Sequence, residues 1–502
     1  MSGSASHTPP PRLQLPCGAL RGTLNPESGI RAFKGIPYAQ PPVGELRWRP
    51  PQPMTPWPSE RDAIDFGPDC PQSAQNPTRA PGMNEDCLYL NVWAPEAAVP
   101  GSLPVMVWLH GGSFVGGSGA DARVDGQALA GKGAVVVTLN YRVGLFGFLA
   151  HPGLSAESPD HVSGNYGLLD QICALRWIQQ NIKAFGGDPT RVTVFGVSAG
   201  SASIALLLVS PHAAGLFSQA ILQSPGTGRP LATLHDAEAL GVQINPDIRA
   251  LRAFDSTTIL DLTSRFTPKV RGLTTPRVLR PIHDGWLIPE EERTAFLAGR
   301  LHAMPILLGS NLDEGSMLTA SWPVKDMASY RALVHENFGE NTRTALSHYP
   351  ATNDGEVRQR VAELFADTQF NYGTQLLARA MVAQSRPVWR YLFTRRRPGQ
   401  TDGPHHGQEV GHVFGNLAAG RAGSPTAFDT ADESLSDFMM RSWVAFASCG
   451  NPDPSGRTWA PYDSAEDGHL VLGDSVISGR AWRAPQLGFL ERIYSGRINA
   501  AA

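Results

Sequence analysis

Ser198 lies at the centre of the pentapeptide Gly-Val-Ser-Ala-Gly that spans residues 196–200. The apolar run at residues 192–195 is typical of a buried strand, and residues 201–209 are compatible with a helix. In this strand–turn–helix setting the pattern predicts a nucleophile elbow, a strained turn that exposes the serine oxygen above a sheet. The backbone N–H of the next residue, Ala199, can then stabilise a developing oxyanion. The predicted chemistry is acyl transfer to a serine.

A second glycine-rich loop, His-Gly-Gly-Ser-Phe at residues 110–114, follows another apolar run at residues 104–109. Such a loop presents backbone N–H groups without side chains in the way, and each preorganised donor to an oxyanion contributes roughly 3–4 kcal/mol. The alternative is a phosphate-binding loop, which requires G-x-x-x-x-G-K-[ST]. The nearest match, residues 126–133, lacks the hydroxyl residue after its lysine. We therefore predict an oxyanion-binding loop at residues 110–114.

A serine nucleophile requires a base, and the base requires an acid that orients it. In an elbow-containing sheet the chain order is serine, acid, histidine. After the apolar run at residues 305–309, the next loop carries Asp313 and Glu314, and the residues alone leave both acids open. After the run at residues 388–393, the loop carries His405 and His406, and His412 is a minor further candidate.

The order of elements predicts the fold class. Unbroken apolar strands separated by helices indicate an α/β fold with a large, mostly parallel central sheet flanked by helices. No repeat or change in composition marks a linker, so we predict one domain over residues 15–495. Residues 1–14 are polar and proline-rich, and we predict that they are disordered. The helices are predicted at residues 166–185, 356–385 and 437–448, and further strands at 104–109, 134–140, 192–195, 305–309 and 388–393.

Composition excludes several classes of function. The chain has 502 residues, 42% of them hydrophobic, and a net charge of −3. Its basic run at residues 395–397 is too short for a nucleic-acid footprint and is interpreted as a solvated strand end. No apolar run reaches membrane-spanning length. The N-terminal residues lack the pattern of a signal peptide, and whether a signal peptide was removed stays open. No cysteine–histidine cluster has zinc spacing, and the predicted chemistry requires no metal or organic cofactor.

Several motifs together resemble the type-B carboxylesterase family, which includes bacterial p-nitrobenzyl esterases and animal cholinesterases. The resemblance runs from about residue 15 to about residue 490, and the motifs are highly specific in combination. It implies an α/β-hydrolase fold and hydrolysis of small-molecule carboxylic esters. The matching segments are residues 33–42 (FKGIPYAQPP), 46–51 (LRWRPP), 85–93 (EDCLYLNVW), 164–170 (GNYGLLD), 185–189 (FGGDP), 313–315 (DEG) and 406–415 (HGQEVGHVFG).

The resemblance implies a role for each matching position. It makes Ser198 the nucleophile, chooses Glu314 over Asp313 as the acid, and makes His406 the general base. The other implied roles are oxyanion donors at Gly112, Ser113 and Ala199, a serine that supports the acid at Ser224, and a structural ion-pairing acid at Glu85.

Five cysteines are present, and two of them, Cys70 and Cys87, flank a loop rich in proline, asparagine and glycine. Spacing alone leaves a bridge between them open; it would contribute on the order of 3 kcal/mol and would need an oxidising compartment. The family resemblance implies that they pair as a disulfide. Secretion or export to a periplasm is favoured if that bridge forms, and a cytoplasmic location otherwise.

Two positions depart from the family pattern and bear on the substrate pocket. The family usually has glutamate before the nucleophile, where this chain has Val197. Loss of that carboxylate predicts tolerance of anionic esters and poor use of choline-like cations. Pro225 follows Ser224 where the family has glycine, which predicts a reshaped pocket wall. This segment resembles bacterial fumonisin esterases, and the resemblance implies release of tricarballylic acid as an alternative function.

A non-catalytic binding domain of cholinesterase-like fold is the rival from another class of function. Such domains lack the nucleophile or the histidine, whereas this chain retains Ser198, Glu314 and His406. Amide or carbamate hydrolysis by the same three residues stays open, as do acyl-chain preference, the native substrate and the oligomeric state.

Overall fold

The computed structural model describes residues 9–73, 78–277, 279–420 and 427–501. A large sheet crosses the molecule, a small sheet lies beside it, and helices cover both faces of the large one. The strands are β1 (Arg12–Leu15), β2 (Gly18–Arg21), β3 (Thr23–Asn25), β4 (Ile30–Pro37), β5 (Arg61–Asp62), β6 (Tyr89–Pro95), β7 (Leu103–Leu109), β8 (Val135–Leu139), β9 (Gly187–Val197), β10 (Gln219–Gln223), β11 (Ile306–Asn311), β12 (Val388–Phe393), β13 (Gly468–Leu472) and β14 (Val476–Arg480).

The helices fill the connections between these strands and extend beyond the last of them. They are α1 (Gln127–Ala130), α2 (Gly144–Phe148), α3 (Pro152–Glu157), α4 (Tyr166–Asn181), α5 (Ala199–Val209), α6 (Leu234–Ile244), α7 (Ile248–Ala253), α8 (Ser256–Phe266), α9 (Glu292–Leu297), α10 (Ser316–Thr319), α11 (Met327–Phe338), α12 (Thr342–His348), α13 (Asp354–Ala366), α14 (Tyr372–Ala383), α15 (Val410–Phe414), α16 (Thr430–Cys449) and α17 (Ala484–Ala501).

In the described part of the chain, the large sheet has 11 strands in the order β14-β13-β12-β11-β10-β9-β7-β8-β6-β4-β3. The neighbours from β13 through β8 pair in parallel, and antiparallel strands extend both edges. The prediction of a mostly parallel sheet flanked by helices is therefore confirmed.

This topology brings the candidate functional loops together. The carboxyl ends of β7, β9, β10, β11 and β12 lie side by side, because these strands are consecutive in the sheet and parallel. In parallel sheets the loops that follow the strands gather at this edge and build the site. The loops of the predicted oxyanion donors, the nucleophile, the acid and the histidine follow β7, β9, β11 and β12.

Alternate side chains of the central strands enter two hydrophobic cores, one on each face of the sheet. In β7, Val105 and Val107 pack into one core and Met106 and Trp108 into the other. The reversal of side-chain direction at each strand residue causes this division. Because both faces are buried, the strand is an unbroken apolar run in the sequence.

Some predicted boundaries change. The strand over residues 388–393 is confirmed, while the helix predicted over residues 356–385 begins at Asp354 and is interrupted by a π-helical turn at Asp367–Asn371. The helix predicted from residue 437 begins at Thr430, because Asp429 caps it by accepting from Ala431 N. Strand β1 begins inside the segment predicted to be disordered, where it pairs with β2; residues 1–8 lie outside the described residues.

The interpretation of residues 395–397 as a solvated strand end was wrong. Arg395 and Arg397 are buried, and only Arg396 is exposed. Arg395 forms ion pairs with Asp429, Asp432 and Asp474, which reach it from α16 and from the β13–β14 turn. Acidic partners distant in the sequence therefore bury a residue that looks exposed in its local context.

The predicted disulfide is absent, because Cys70 and Cys87 are both free thiols in the structure. Their side chains are buried next to each other, and the Cys70 thiol and burial together raise the pKa of Cys87 well above its usual value. A thiol held in its protonated form reacts slowly with oxidants. The bridge and the export that it would favour find no support here.

The ion pair predicted at Glu85 is present. Arg47 Nε donates to Glu85 Oε2 at 2.7 Å. Within the described ranges, no helix is long and apolar enough to cross a membrane, and no group of three or more histidine, cysteine or acidic side chains is arranged to hold a metal ion.

Candidate active site

Ser198 lies on a sharp turn between β9 and α5, as the pattern of residues 196–200 predicts. Its backbone has φ 57° and ψ −118°, and its N–H donates to Gln223 O at 2.9 Å. Such a conformation costs on the order of 1–3 kcal/mol in a non-glycine residue. Gly200 permits the turn, because a Cβ there would lie 2.0 Å from Leu109 O. The strain exposes Ser198 at the sheet edge, where it lines two cavities.

The loop after β7 lies directly against this turn. A Cβ on Gly111 would approach Ser198 Cβ to 3.1 Å and Val197 O to 2.8 Å, so only glycine fits without displacement. Gly112 and Ser113, the predicted donors, line a cavity together with Ser198. Ala199 opens α5, and the first N–H groups of a helix have no partner within the helix. Each of the three predicted oxyanion donors thus borders a cavity that contains Ser198, Gly112 in one, Ala199 in the other and Ser113 in both.

His110 holds the beginning of this loop. Its ring stacks on Tyr141 with 4.1 Å between ring centroids, and Tyr141 Oη donates to His110 O at 2.8 Å. Burial lowers the pKa of His110 to about 4, so the imidazole is neutral near pH 7. A neutral ring adds no positive charge beneath the loop. The electrostatic effect of the loop then comes from its backbone dipoles.

Glu314 and His406 form a buried pair, with Glu314 Oε2 against His406 Nδ1. The other oxygen, Glu314 Oε1, accepts from Ser224 Oγ at 2.6 Å and from Asn311 N at 2.6 Å. Glu314 is 0% exposed. Two donors to Oε1 therefore hold the carboxylate in one orientation, with Oε2 toward the imidazole.

The ring of His406 is positioned from its other side by Phe370. The two rings stack with 4.4 Å between centroids. Phe370 lies in the π-helical turn between α13 and α14, and such turns are frequent at functional sites. His406 lines the same cavity as Ser198, Gly112 and Ser113. A hydroxyl, an imidazole and a carboxylate assembled in this way can activate the hydroxyl for attack on a carbonyl carbon.

The neighbouring residues Asp313 and His405 form a second acid–histidine pair, at 3.5 Å from Asp313 Oδ2 to His405 Nδ1. Asp313 also accepts from Ser316 N at 3.0 Å. Burial opposes ionisation of Asp313, but hydrogen bonds from His405 and Ser316 outweigh it and lower the pKa of Asp313 to about 2. In the described residues, this pair lines neither cavity at Ser198.

The minor candidate His412 lies apart from the site as well. Its Nε2 pairs with Asp432 at 3.2 Å, and both side chains are fully buried. The structure brings His406 to the cavity of Ser198 and gives His412 a role in packing α15 against α16.

Glu409 is a buried neighbour of the site that the sequence analysis missed. It accepts from Gln223 Nε2 at 2.9 Å and from Asn311 Nδ2 at 2.6 Å. Burial and then the nearby Glu314 carboxylate raise the pKa of Glu409. Its signal in the sequence is a glutamate three residues after His406, on the short segment that leads into α15.

The two positions that depart from the family pattern, Val197 and Pro225, are placed differently relative to the cavities. Val197 is 7% exposed and lines the cavity that also contains Ser198 and His406. Pro225 is buried and, in the part of the chain described, borders neither cavity at Ser198. Gly226 and Arg229, just after it, form the wall instead. An influence of Pro225 on the pocket wall stays a prediction, and it would act through these two neighbours.

Comparison with known proteins assigns nearly the full length of the chain to one protein family. The model of the carboxylesterase family matches residues 9–489. The chain belongs to the carboxylesterase family. A fumonisin B1 esterase from Sphingopyxis macrogoltabida is 44% identical over 488 residues, which cover 95% of this chain and 89% of that protein. A para-nitrobenzyl esterase from Bacillus subtilis (strain 168) is 34% identical over 477 residues, which cover 91% of this chain and 94% of that protein.

Solved structures agree with these sequence relatives. A structure of PNB esterase superposes with a TM-score of 0.84 at 32% identity, covering 95% of this chain and 98% of the other. The predicted family and its α/β-hydrolase fold are therefore confirmed. Family and relatives identify the class of enzyme as a carboxylesterase.

Proposed function

We propose that this carboxylesterase hydrolyses small-molecule esters through Ser198, His406 and Glu314 and a covalent acyl-enzyme. The observation that carries the proposal is the buried Glu314–His406 pair, whose imidazole lines one cavity with Ser198. His406 takes the proton of Ser198 as the serine oxygen attacks the ester carbonyl, and Glu314 fixes the tautomer of the imidazole and stabilises its protonated form.

The N–H groups of Gly112, Ser113 and Ala199 receive the negative charge that develops on the carbonyl oxygen. The ester C–O bond then breaks, and His406 gives its proton to the leaving alcohol. Water attacks the acyl-enzyme with His406 again as the base, and the carboxylic acid leaves. The imidazole returns to its starting form at the end of the cycle. No step in this sequence draws on a metal or an organic cofactor.

The first test of this function is a hydrolysis panel combined with active-site titration. The panel contains p-nitrophenyl acetate, p-nitrophenyl butyrate, a choline ester and a tricarballylate diester, and the titrant is an organophosphonate. We expect release of alcohol from at least the simple esters and one phosphonyl group per chain, attached at Ser198. A chain that releases no alcohol and takes up no phosphonate would be a binding domain instead.

A second candidate function is release of tricarballylic acid from a polycarboxylate ester. The relative named fumonisin B1 esterase, at 44% identity over most of both chains, favours it. Faster turnover of the tricarballylate diester than of the simple esters would support this narrower function. Turnover of the simple esters alone would indicate a general carboxylesterase without preference for polycarboxylate esters.

Ser224 is proposed to position the acid and not to touch the substrate. Ser224→Ala removes one of the two donors to Glu314 Oε1, and hydrogen bonds to charged groups contribute about 1.5–3 kcal/mol. We expect kcat to fall about 10-fold while KM changes less than twofold. Steady-state kinetics on p-nitrophenyl butyrate measures both parameters. A rise in KM at constant kcat would instead place Ser224 in substrate binding.

Val197 is proposed to disfavour cationic alcohols. It lines the cavity that also contains His406, where the alcohol must lie to receive its proton. Among the described lining residues of that cavity, Asp121 is the one acid, and Arg123 pairs with it at 2.7 Å. Arg271 adds positive charge to the same cavity. We expect kcat/KM for acetylcholine to be about 10-fold below that for the neutral isostere 3,3-dimethylbutyl acetate.

Val197→Glu should shift this ratio toward the cation by about 10-fold, because it restores a carboxylate at close range. Val197→Gln is the matched control, since it adds similar volume without charge. Equal kcat/KM values for the two esters in the unmodified enzyme would contradict the role given to Val197.

A further inference from the structure

Four arginines converge on the second cavity that contains Ser198. They come from separate parts of the chain: Arg229 follows β10, and Arg271, Arg277 and Arg280 lie between α8 and α9. The described lining of this cavity holds no aspartate or glutamate. We call these four side chains and their cavity the arginine pocket.

The guanidinium groups of the arginine pocket lack acidic partners. In the described ranges, none of the four forms an ion pair within 4.0 Å, in contrast to Arg395 elsewhere in the chain. Arg229 is 6% exposed, and its Nε has no hydrogen-bond partner among the residues that the structure describes. Arg280 lies over the ring of Phe114, in the oxyanion loop, at 5.1 Å. Arg277 Nη2 donates to Gly272 O at 2.7 Å, a backbone acceptor that carries no net charge.

The positive charge of the pocket is therefore compensated only in part. Burial, and then the repulsion of the neighbouring arginines, lower the pKa of Arg277 and Arg280 well below the usual value. Glu292 lies behind the pocket, where it accepts from Gly228 N at 2.7 Å. Burial raises the pKa of Glu292 to about 7, so it supplies less than a full negative charge at neutral pH. Unpaired buried charges are costly, and an anion bound among them relieves that cost.

The position of His406 decides which part of an ester enters the arginine pocket. His406 must reach the oxygen of the leaving alcohol, and it lines the cavity of Val197 and not the arginine pocket. The alcohol therefore lies on the Val197 side. The acyl chain, attached to the same carbonyl carbon, extends from Ser198 to the arginine pocket.

We propose that the arginine pocket binds free carboxylates on the acyl part of the substrate, so that the preferred substrates are esters of di- and tricarboxylic acids. This inference rests on the proposed function of Ser198. Guanidinium groups bind carboxylates through paired N–H donors in a plane, and four such groups around one cavity accommodate more than one carboxylate. The reaction is the same hydrolysis: the ester bond and one water molecule give the alcohol and a polycarboxylic acid.

The experiment compares two p-nitrophenyl esters that differ only in acyl charge. One is the mono-p-nitrophenyl ester of glutaric acid, and the other is p-nitrophenyl 5-methylhexanoate, in which two methyl groups replace the carboxylate oxygens. After subtraction of spontaneous hydrolysis, we expect the unmodified enzyme to have a kcat/KM at least 10-fold higher for the anionic ester.

Four variants test the arginines that we propose to bind the carboxylates. Arg271→Gln and Arg280→Gln should each lower the ratio of anionic to neutral kcat/KM by about 10-fold, and the double variant by about 100-fold, as loss of charge-assisted hydrogen bonds implies. Arg271→Lys should fall between Arg271→Gln and the unmodified enzyme. Arg457→Gln, at an exposed arginine far along the chain, is the control that should leave the ratio unchanged.

A measurement without variants covers the case in which a substitution prevents folding. Tricarballylate should inhibit hydrolysis of the neutral ester competitively, with an inhibition constant at least 10-fold below that of acetate. A ratio near one for the two esters, a ratio unaffected by the arginine variants, or equal inhibition by both acids would overturn the inference. Failure of the proposed function is distinguishable, because neither ester would then be turned over at all.

Discussion

Ser198→Ala is expected to reduce kcat for p-nitrophenyl butyrate by about 10⁴- to 10⁶-fold. The substitution removes the oxygen that we propose to form the acyl-enzyme, and it leaves the proposed donors at Gly112, Ser113 and Ala199 and both cavities in place. The small remaining activity would come from those donors acting on a water attack. Alanine also carries a methyl group in place of the hydroxymethyl group, so packing at the elbow changes little.

Ser201→Ala is the matched control for this substitution. Ser201 lies three residues along the same helix, is fully buried, and its hydroxyl has no hydrogen-bond partner among the described residues. It lines neither cavity at Ser198. We expect full activity and full phosphonate labelling for Ser201→Ala, and no labelling for Ser198→Ala. Activity within 10-fold of the unmodified enzyme in Ser198→Ala would contradict the assignment of the nucleophile.

The central part of the fold was predictable because its signals are local. Residues 388–393 and residues 192–197 before Ser198 are buried at every position, so both runs are largely apolar. Arg390 is the charged exception in the first run, and it pairs with Asp467. Gly200 and Gly111 carry a second local signal, since close backbone approach at Leu109 and Ser198 excludes a side chain. The order of the strands along the chain then places the loops that carry the candidate catalytic residues at one edge of the sheet.

The arginine pocket had no such signal. Arg229 is separated from Arg271, Arg277 and Arg280 by three helices, α6, α7 and α8, that the sequence analysis did not predict. Four single arginines in irregular segments are ordinary surface residues in any local window. Arg395 shows the reverse case, in which acids distant in the sequence bury a cation. Both outcomes depend on which loops meet in space, and spacing along the chain does not contain that information.

The choice between Asp313 and Glu314 shows the same limit at single-residue scale. Both acids follow β11, and both histidines follow β12, so the residues alone allow either pairing. In the structure the two pairs lie side by side, Asp313 with His405 and Glu314 with His406. The turn after β11 decides which carboxylate points toward the cavity of Ser198. The two neighbouring acids therefore allow two matched substitutions, one at Glu314 and one at Asp313.

Glu314→Gln is expected to lower kcat by about 10³- to 10⁴-fold. The amide oxygen would keep accepting from Ser224 Oγ and Asn311 N, which hold Oε1 in the present structure. The NH₂ group would then face His406 Nδ1 and donate to it. That tautomer carries its proton on Nε2 and cannot take the proton of Ser198. Kinetics on p-nitrophenyl butyrate, with phosphonate labelling rates, measure the loss directly.

Asp313→Asn makes the same chemical change one residue away and should alter kcat less than threefold. Its effect should appear in stability. The pKa of Asp313 is about 2 in the folded chain and lower than in the unfolded chain, so ionisation stabilises the fold above about pH 4, and this contribution disappears as the pH falls through 2. At pH 7 we expect the free energy of unfolding to fall by about 1–2 kcal/mol, measured by urea denaturation. Loss of kcat in Asp313→Asn as large as in Glu314→Gln would transfer the role of the acid to Asp313, and with it the role of the base to His405.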